Sequence, residues 1–359
     1  MIFLDEKILS AQPYSLNAEE KKKLFSEKLR ELTRHHTAHC EPYRKIVDML
    51  GFDETHSHPI ADYPFLPARI FKAHELKSIA ATDVKKTLTS SGTSGQTPSR
   101  IFLDAETAGL QTKILSRIIS DYLGTQRLPM LIIDAPSTVK RGGQFSARAT
   151  GIVGYSLFGR DPTYALNDDM SLNVEALKKF QNKHAGQKIF VFGFTFMIFQ
   201  YFLKALEDTK QVCDLSNAFM IHGGGWKKLA DIAIDDTAFR KRLHNVSGIK
   251  NVHNYYGIVE QTGSVCMGCE HGHLHVSNFS DIIIRDVQFN DVGIGTKGLV
   301  QMLSLVPHSY PGHSLLTEDE GTILGEDDCP CGRKGKYFQI HGRAAQAEMR
   351  GCSDTYVAK

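Results

Sequence analysis

Apolar residues recur at helical spacing among charged ones near the N-terminus. Leu24, Leu29 and Leu32 fall on one face of a segment otherwise rich in Lys and Glu, a pattern that predicts an amphipathic helix. Asn17 followed by Glu20 has the spacing of a capping box and predicts where this helix begins. A proline-rich connector then separates the helical segment from the rest of the chain.

Short β-rich runs alternate with helical runs from residue 87 onward. The predicted strands are residues 100–103, 130–134, 188–194, 218–222, 251–255 and 282–285, and the predicted helices include 105–123, 174–183 and 195–208. This alternation is typical of an α/β fold with a substantial sheet. We expect a helical segment at 1–86 packed on the main domain, a core at 87–340 and a short tail at 341–359.

The most apolar stretch is residues 189–203. It is shorter than the roughly 18–20 residues needed to span a bilayer, so we interpret it as a buried strand and helix and expect no membrane insertion. Five phenylalanines crowd this junction and predict core packing first and the lining of an acyl pocket second; they are Phe192, Phe194, Phe196, Phe199 and Phe202.

Charge and termini limit the class of protein. Lys and Arg total 42 against 40 Asp and Glu, a net charge of +2, whereas a nucleic-acid binder should carry a basic surplus. The first six residues become acidic too early for a secretory signal, so we expect a cytoplasmic protein. Its partners should be a small molecule or another protein, with no nucleic acid.

A loop of small polar residues covers residues 89–96. Such residues let successive backbone N–H groups point at one anion, and hydroxyls add further donors. The loop lacks the Lys-Ser/Thr ending of a Walker loop, and a plain flexible connector is the alternative. The predicted phosphate-binding residues are Ser90, Ser91, Gly92, Thr93, Ser94, Gly95 and Gln96.

Further motifs follow this loop in a fixed order: HGGGW at 222–226, NYYGIVE at 254–260, LTED at 316–319 and GR at 342–343. Together they resemble the adenylate-forming superfamily, which contains acyl-CoA ligases and luciferases. The resemblance implies a large N-terminal-type α/β domain with mixed sheets and packed helices, and it implies ATP and Mg²⁺ as cofactors. Val259 stands where the superfamily usually has threonine.

The resemblance also assigns roles to individual residues. Glu260 would hold Mg²⁺, Asp319 would bind the ribose hydroxyls, and Arg343 would lie at the hinge as a catalytic residue. The adenine and acyl pocket would be lined by Gly223, Gly224, Gly225, Asn254, Tyr255, Tyr256 and Gly257.

The last residues resemble one branch of the superfamily, the acyl-protein synthetases of the LuxE type. Only eight residues follow Gly351, so we expect the usual C-terminal domain to be essentially absent. The resemblance implies that a carboxylic acid, with a fatty acid as the first candidate, is adenylated, transferred to the enzyme's own cysteine and passed to an acyl reductase. Cys352 is the candidate nucleophile, with Arg350 nearby to favour the thiolate.

Four of the seven cysteines form two tight pairs, at 266 and 269 and at 329 and 331. Zinc prefers four Cys or His ligands, and we predict a structural site from Cys269, His275, Cys329 and Cys331. This choice follows a resemblance to relatives of the phenylacetate–CoA ligase type. Cys266 is the rival fourth ligand, and free thiols packed in a core are the alternative.

Two other functions stay open at this point. The chain could be an aryl- or acyl-CoA ligase of the phenylacetate–CoA ligase type. It could also be a non-catalytic nucleotide- or zinc-binding subunit of a biosynthetic complex.

Overall fold

The computed structural model describes residues 4–90, 98–140, 147–209, 213–226 and 232–344. Within these ranges, helices pack around a central sheet. Those that position the site or the core are α1 (Glu6–Ser10), α2 (Ala18–His39), α3 (Glu41–Leu50), α4 (Ile70–Ala73), α5 (Ala105–Leu123), α6 (Ser137–Lys140), α7 (Ala147–Tyr155), α8 (Val174–Lys183), α9 (Thr195–Met197), α10 (Lys204–Thr209) and α11 (Asp236–Ser247). None of the helices within these ranges is both long and apolar enough to cross a membrane.

A long mixed sheet forms the centre of the molecule. Its strands are β1 (Leu66–Pro67), β4 (Leu128–Ile133), β5 (Gly159–Tyr164), β6 (Ile189–Phe194), β7 (Ala218–Gly223), β8 (Asn251–Tyr256), β9 (Cys266–Gly268), β10 (Leu274–His275), β11 (Ser280–Arg285), β12 (Lys297–Ser304), β13 (Ser314–Glu326) and β14 (Lys336–Arg343). The order along the sheet is 11-12-13-14-10-9-8-7-6-4-5, with β1 parallel to β13. A separate hairpin pairs β2 (Lys86–Thr89) with β3 (Arg100–Leu103).

The parallel half of the sheet runs through β5, β4, β6, β7 and β8. Its central strands, β4, β6 and β7, are buried at every position because helices cover both faces. Met130 and Ile132 of β4 point into one core with Phe190 and Phe192, whereas Leu131 enters the second core on the opposite face. In the other half of the sheet, the strands in the order β9, β10, β14, β13, β12 and β11 are each antiparallel to the next. The predicted mixed α/β architecture is therefore confirmed.

Most predicted elements lie where the sequence pattern placed them. The capping box at the start of α2 is present, since Asn17 and Glu20 exchange two hydrogen bonds of 3.0 Å. The helix predicted at 195–208 contains a π-helical segment, Ile198–Leu203. Phe192 is fully buried in one core, and Phe199 and Phe202 are buried in the other, so the core-packing interpretation of these three is confirmed.

Candidate active site and thiol cluster

Four parallel strands end at the same edge of the sheet. In doubly wound α/β folds, ligands bind in the crevice outside the carboxyl ends of such strands. The segments that follow β4, β6, β7 and β8 begin with Asp134, Thr195, Gly224 and Gly257. Two of the sequence motifs, HGGGW and NYYGIVE, therefore meet at one edge because β7 and β8, which carry them, are neighbours in the sheet.

The glycine turn after β7 is shaped by two aromatic rings. A Cβ on Gly223 would lie 2.6 Å from the ring of Tyr255, and a Cβ on Gly224 would lie 2.7 Å from the ring of Phe194. Gly224 and Gly225 also have φ angles of +82° and +63°, a backbone region that glycine enters without steric cost. Because these positions are glycines, the turn can pass close to the two aromatic rings. The turn therefore presents backbone atoms, and no side chains, at this edge of the sheet.

Tyr256, Asp319 and Arg343 form a connected group beside this edge. The Tyr256 hydroxyl donates to Asp319 Oδ2 at 2.8 Å, and burial raises the pKa of this phenol. Asp319 and Arg343 are direct partners across β13 and β14, and the Arg343 guanidinium also donates to Glu318 at 3.2 Å. The structure thus brings the predicted ribose carboxylate, adenine-site tyrosine and hinge arginine into one network.

Glu260 lies in a short 3-10 turn, Val259–Gln261, just after β8. The residue is only 4% exposed, and its backbone carbonyl accepts a hydrogen bond of 2.8 Å from the Tyr310 hydroxyl. Asn254, also predicted, is half-buried on β8, and Gly257 follows that strand. A nearly buried carboxylate at the ligand-binding edge fits Mg²⁺, which takes one or two protein carboxylates together with substrate phosphates.

A buried ion pair at the same edge was not predicted from the sequence. Arg148 of α7 binds both carboxylate oxygens of Asp134, at 2.9 and 3.1 Å, and donates to the Thr138 hydroxyl at 2.8 Å. Burial raises the pKa of Asp134, and the neighbouring guanidinium opposes that shift. In the sequence, Asp134 could have been noticed because it directly follows an apolar strand. Arg148, its partner 14 residues later, belongs to no motif that would have identified it.

Three cysteines and one histidine meet on the antiparallel side of β8. One ligand atom from each of Cys269, His275, Cys329 and Cys331 lies within 4.8 Å of the other three. The Cys269 and Cys329 sulfurs are 4.0 Å apart, and His275 Nε2 lies 3.4 Å from the Cys331 sulfur. Three soft thiols and one imidazole are the donor set of structural zinc sites.

Burial changes the protonation of the residues in this thiol cluster. Burial raises the pKa of Cys269 and of Cys329, which opposes thiolate formation unless a cation compensates it. Burial also lowers the pKa of His275 to about 4, so the imidazole is neutral, as a metal ligand must be. The rival Cys266 is fully buried in a separate apolar cluster beside Lys21 and Ser280.

Several predicted residues fall outside the described ranges. They are Ser91, Gly92, Thr93, Ser94, Gly95, Gln96 and Cys352. Ser90 is described: its hydroxyl accepts from the Ser99 N–H at 2.8 Å, and its own N–H donates to the Ser99 carbonyl at 3.1 Å. These two bonds extend the pairing of β2 with β3 up to the edges of the predicted phosphate loop.

Comparison with known proteins decides the family. The sequence profile of the acyl-protein synthetase family LuxE matches residues 2–359, the whole chain apart from its first residue. The chain belongs to the LuxE family of acyl-protein synthetases. The resemblance drawn from the motif order is therefore confirmed, and the protein is an enzyme of the ligase class.

Two bacterial relatives align with this chain over nearly its full length. The long-chain-fatty-acid–luciferin-component ligase of Vibrio harveyi is 22% identical over 365 residues, covering 99% of this chain and 94% of the relative. The protein of the same name from Aliivibrio fischeri is 22% identical and covers 98% and 92%. Among solved structures, 2-hydroxyisobutyryl-CoA ligase in an open conformation has a TM-score of 0.69 at 13% identity. It covers 92% of this chain and 76% of the ligase, which supports the adenylate-forming fold.

Proposed function

We propose that this protein adenylates a carboxylic acid with ATP and then carries the acyl group on its own Cys352. The observation that carries the proposal is the network of Tyr256, Asp319 and Arg343, together with the nearly buried Glu260 in the turn after β8. This network lies at the carboxyl edge of the parallel strands, where the fold binds ligands. The names of the two bacterial relatives make a long-chain fatty acid the first candidate substrate.

The first step joins the acid to AMP. A carboxylate oxygen attacks the α-phosphorus of ATP, the bond to the β-phosphate breaks, and pyrophosphate leaves. Asp319 accepts hydrogen bonds from the ribose hydroxyls, with its orientation held by Tyr256 and Arg343. Glu260 would hold Mg²⁺, which neutralises phosphate charge. Positioning and charge neutralisation account for most of the catalysis in such displacements.

The second step moves the acyl group to sulfur. The Cys352 thiolate attacks the carbonyl carbon of the acyl-adenylate, the bond to the phosphate oxygen breaks, and AMP leaves. The product is a thioester, which keeps the acyl carbon activated for a hydride donor. An acyl reductase is therefore the protein partner that would consume it.

Acid-dependent ATP–pyrophosphate exchange across a panel of acids tests the first step and identifies the substrate. Radiolabelled acid and ATP test the second, because Cys352→Ser should form acyl-adenylate without covalent labelling. Cys40→Ser is the matched control, since Cys40 is buried between α2 and α3 and the variant should label like wild type. Labelling that persists in Cys352→Ser rules out the carrier role.

The other functions give different results in the same assays. A CoA-dependent product without covalent labelling would select an acyl-CoA ligase. A chain that catalyses no acid-dependent exchange with any acid would be a non-catalytic nucleotide- or zinc-binding subunit.

We also propose that Cys269, His275, Cys329 and Cys331 hold a structural zinc ion. The support is the approach of four ligand atoms from three separate segments to within 4.8 Å. Acyl transfer requires no metal of this kind, and the thiol cluster lies on the antiparallel half of the sheet, away from the carboxyl edge. Its role would be to fix the turn at 329–331 against β10.

A further inference from the structure

A buried loop, residues 305–313, connects β12 with β13. Every one of its residues is buried, which is unusual for a loop because its backbone polar groups lose contact with water. Such a segment must find protein partners for these groups. The partners belong to two different parts of the molecule, one on each side of the loop.

On the first side, the buried loop is bound to α2 and to the β2–β3 hairpin. His36 Nε2 donates to the Pro307 carbonyl at 3.1 Å, and its ring stacks on His313 with centroids 5.0 Å apart. The Ser309 hydroxyl donates to the Phe102 carbonyl on β3 at 2.9 Å. The N–H of Ser78 donates to the Ser309 carbonyl at 2.8 Å.

On the second side, the same loop holds the turn that carries Glu260. The Tyr310 hydroxyl donates to the Glu260 carbonyl at 2.8 Å, and Gln261 Nε2 donates to the Gly312 carbonyl at 2.8 Å. A Cβ on Gly312 would collide with the Tyr310 ring, so glycine there allows the close approach. Tyr310 is fully buried and packs edge-on against Phe71 of α4, with centroids 5.9 Å apart.

The adjacent residues Ser309 and Tyr310 thus bind opposite partners. Ser309 is fixed to β3, and Tyr310 is fixed to Glu260. The turn at Val259–Gln261 is a single 3-10 turn, whose own hydrogen bonds are poor in geometry. The location of the Glu260 backbone is consequently set from outside the turn.

We infer that Tyr310 is a positioning residue for Glu260, and that the buried loop holds this carboxylate at a fixed distance from the β2–β3 hairpin. The inference rests on the proposed role of Glu260 in holding Mg²⁺. A hard cation with strict octahedral geometry is sensitive to small shifts of a carboxylate ligand. Loss of the Tyr310 hydroxyl should therefore weaken the use of Mg²⁺ without changing the binding of the acid.

The test is acid-dependent ATP–pyrophosphate exchange measured against Mg²⁺ concentration in the full-length protein. Tyr310→Phe should raise the Mg²⁺ concentration for half-maximal exchange about three- to tenfold, the scale of one net hydrogen bond. The KM for the acid should stay at the wild-type value. Tyr63→Phe is the matched control: Tyr63 is also buried, and its hydroxyl donates to a backbone carbonyl, that of Ser26, at 3.2 Å.

A third variant separates this inference from the proposed function. Glu260→Gln should raise the Mg²⁺ requirement more than Tyr310→Phe does. If Glu260→Gln leaves it unchanged, the magnesium role of Glu260 is wrong and the inference falls with it. If Glu260→Gln raises it and Tyr310→Phe matches Tyr63→Phe, Glu260 keeps its role and the inference about Tyr310 is overturned. Should Tyr310→Phe fail to fold, Ser309→Ala removes the bond from the buried loop to β3 and should raise the Mg²⁺ requirement in the same direction; an unchanged requirement would overturn the inference.

Discussion

Removing one residue of the thiol cluster should release the proposed zinc ion and lower the stability of the fold by an amount that can be estimated. The variant is Cys269→Ala, which leaves His275, Cys329 and Cys331 in place. Cys269 and Cys329 are 60 residues apart in the chain, so a metal that joins them closes a long loop. In the chain-entropy picture, a cross-link over a loop of this length stabilises by about 4 kcal/mol.

This free energy translates into a measurable melting shift. The entropy of unfolding is about 2.1 cal/mol/K per residue, so for a chain of 359 residues the expected fall in Tm is about 5 °C. Metal analysis of the purified wild-type protein should find one zinc per chain. Adding a strong chelator to wild type should reproduce the fall in Tm, and adding it to Cys269→Ala should have no further effect.

Cys266→Ala is the matched control for this prediction. Cys266 is fully buried three residues before Cys269 but packs in an apolar cluster outside the proposed metal ligands. This variant should lose a little packing and keep its zinc. If Cys269→Ala binds zinc as Cys266→Ala does, or melts at the same temperature, the proposed ligand set is wrong.

Two further predictions concern the edge of the sheet and the buried histidines. Gly224→Ala should reduce exchange activity at least tenfold, because the new methyl group would lie 2.7 Å from the Phe194 ring at a φ of +82°. Gly225→Ala, with φ +63° and, among the described residues beyond its chain neighbours, no atom within 4 Å of the new Cβ, should lose much less; equal losses would refute the steric explanation. Burial lowers the pKa of His313 to about 3, so its neutral form stabilises the fold above an unfolded pKa of about 6.5. That stabilisation is lost as the pH falls towards the folded pKa. Between about pH 7 and pH 5, the free energy of unfolding measured with urea should therefore fall by about 2 kcal/mol more in wild type than in His313→Gln. The same fall in both proteins would contradict this prediction.

Local patterns were sufficient for the elements themselves. The capping pair Asn17 and Glu20 identified the start of α2, and the predicted helix at 105–123 coincides with α5. Apolar runs located β6 and β7 to within a residue. These features depend on neighbours within a few positions in the chain, so a single sequence contains the information that determines them.

Long-range partners were not accessible in the same way. The bond from Tyr310 to Glu260 spans 50 residues, and that from His36 to Pro307 spans 271. No spacing of residues in the sequence identifies Glu260 as the partner of Tyr310, or Pro307 as the partner of His36. Cys269 was preferred to Cys266 as the neighbour of His275 through the resemblance to other ligases and not through spacing, because residues three positions apart on a turning chain can face different cores.

The sequence by itself determined the α/β class, the order of the motifs and the residue types that chemistry at this edge would need. Tertiary structure alone decided which of these residues meet. Parallel pairing of β6, β7 and β8 brings their carboxyl ends together, and the antiparallel pairing of β13 with β14 places Asp319 opposite Arg343. The physical reason is that strand order and loop burial arise from packing of the whole chain, whereas periodicity records only the environment of each segment.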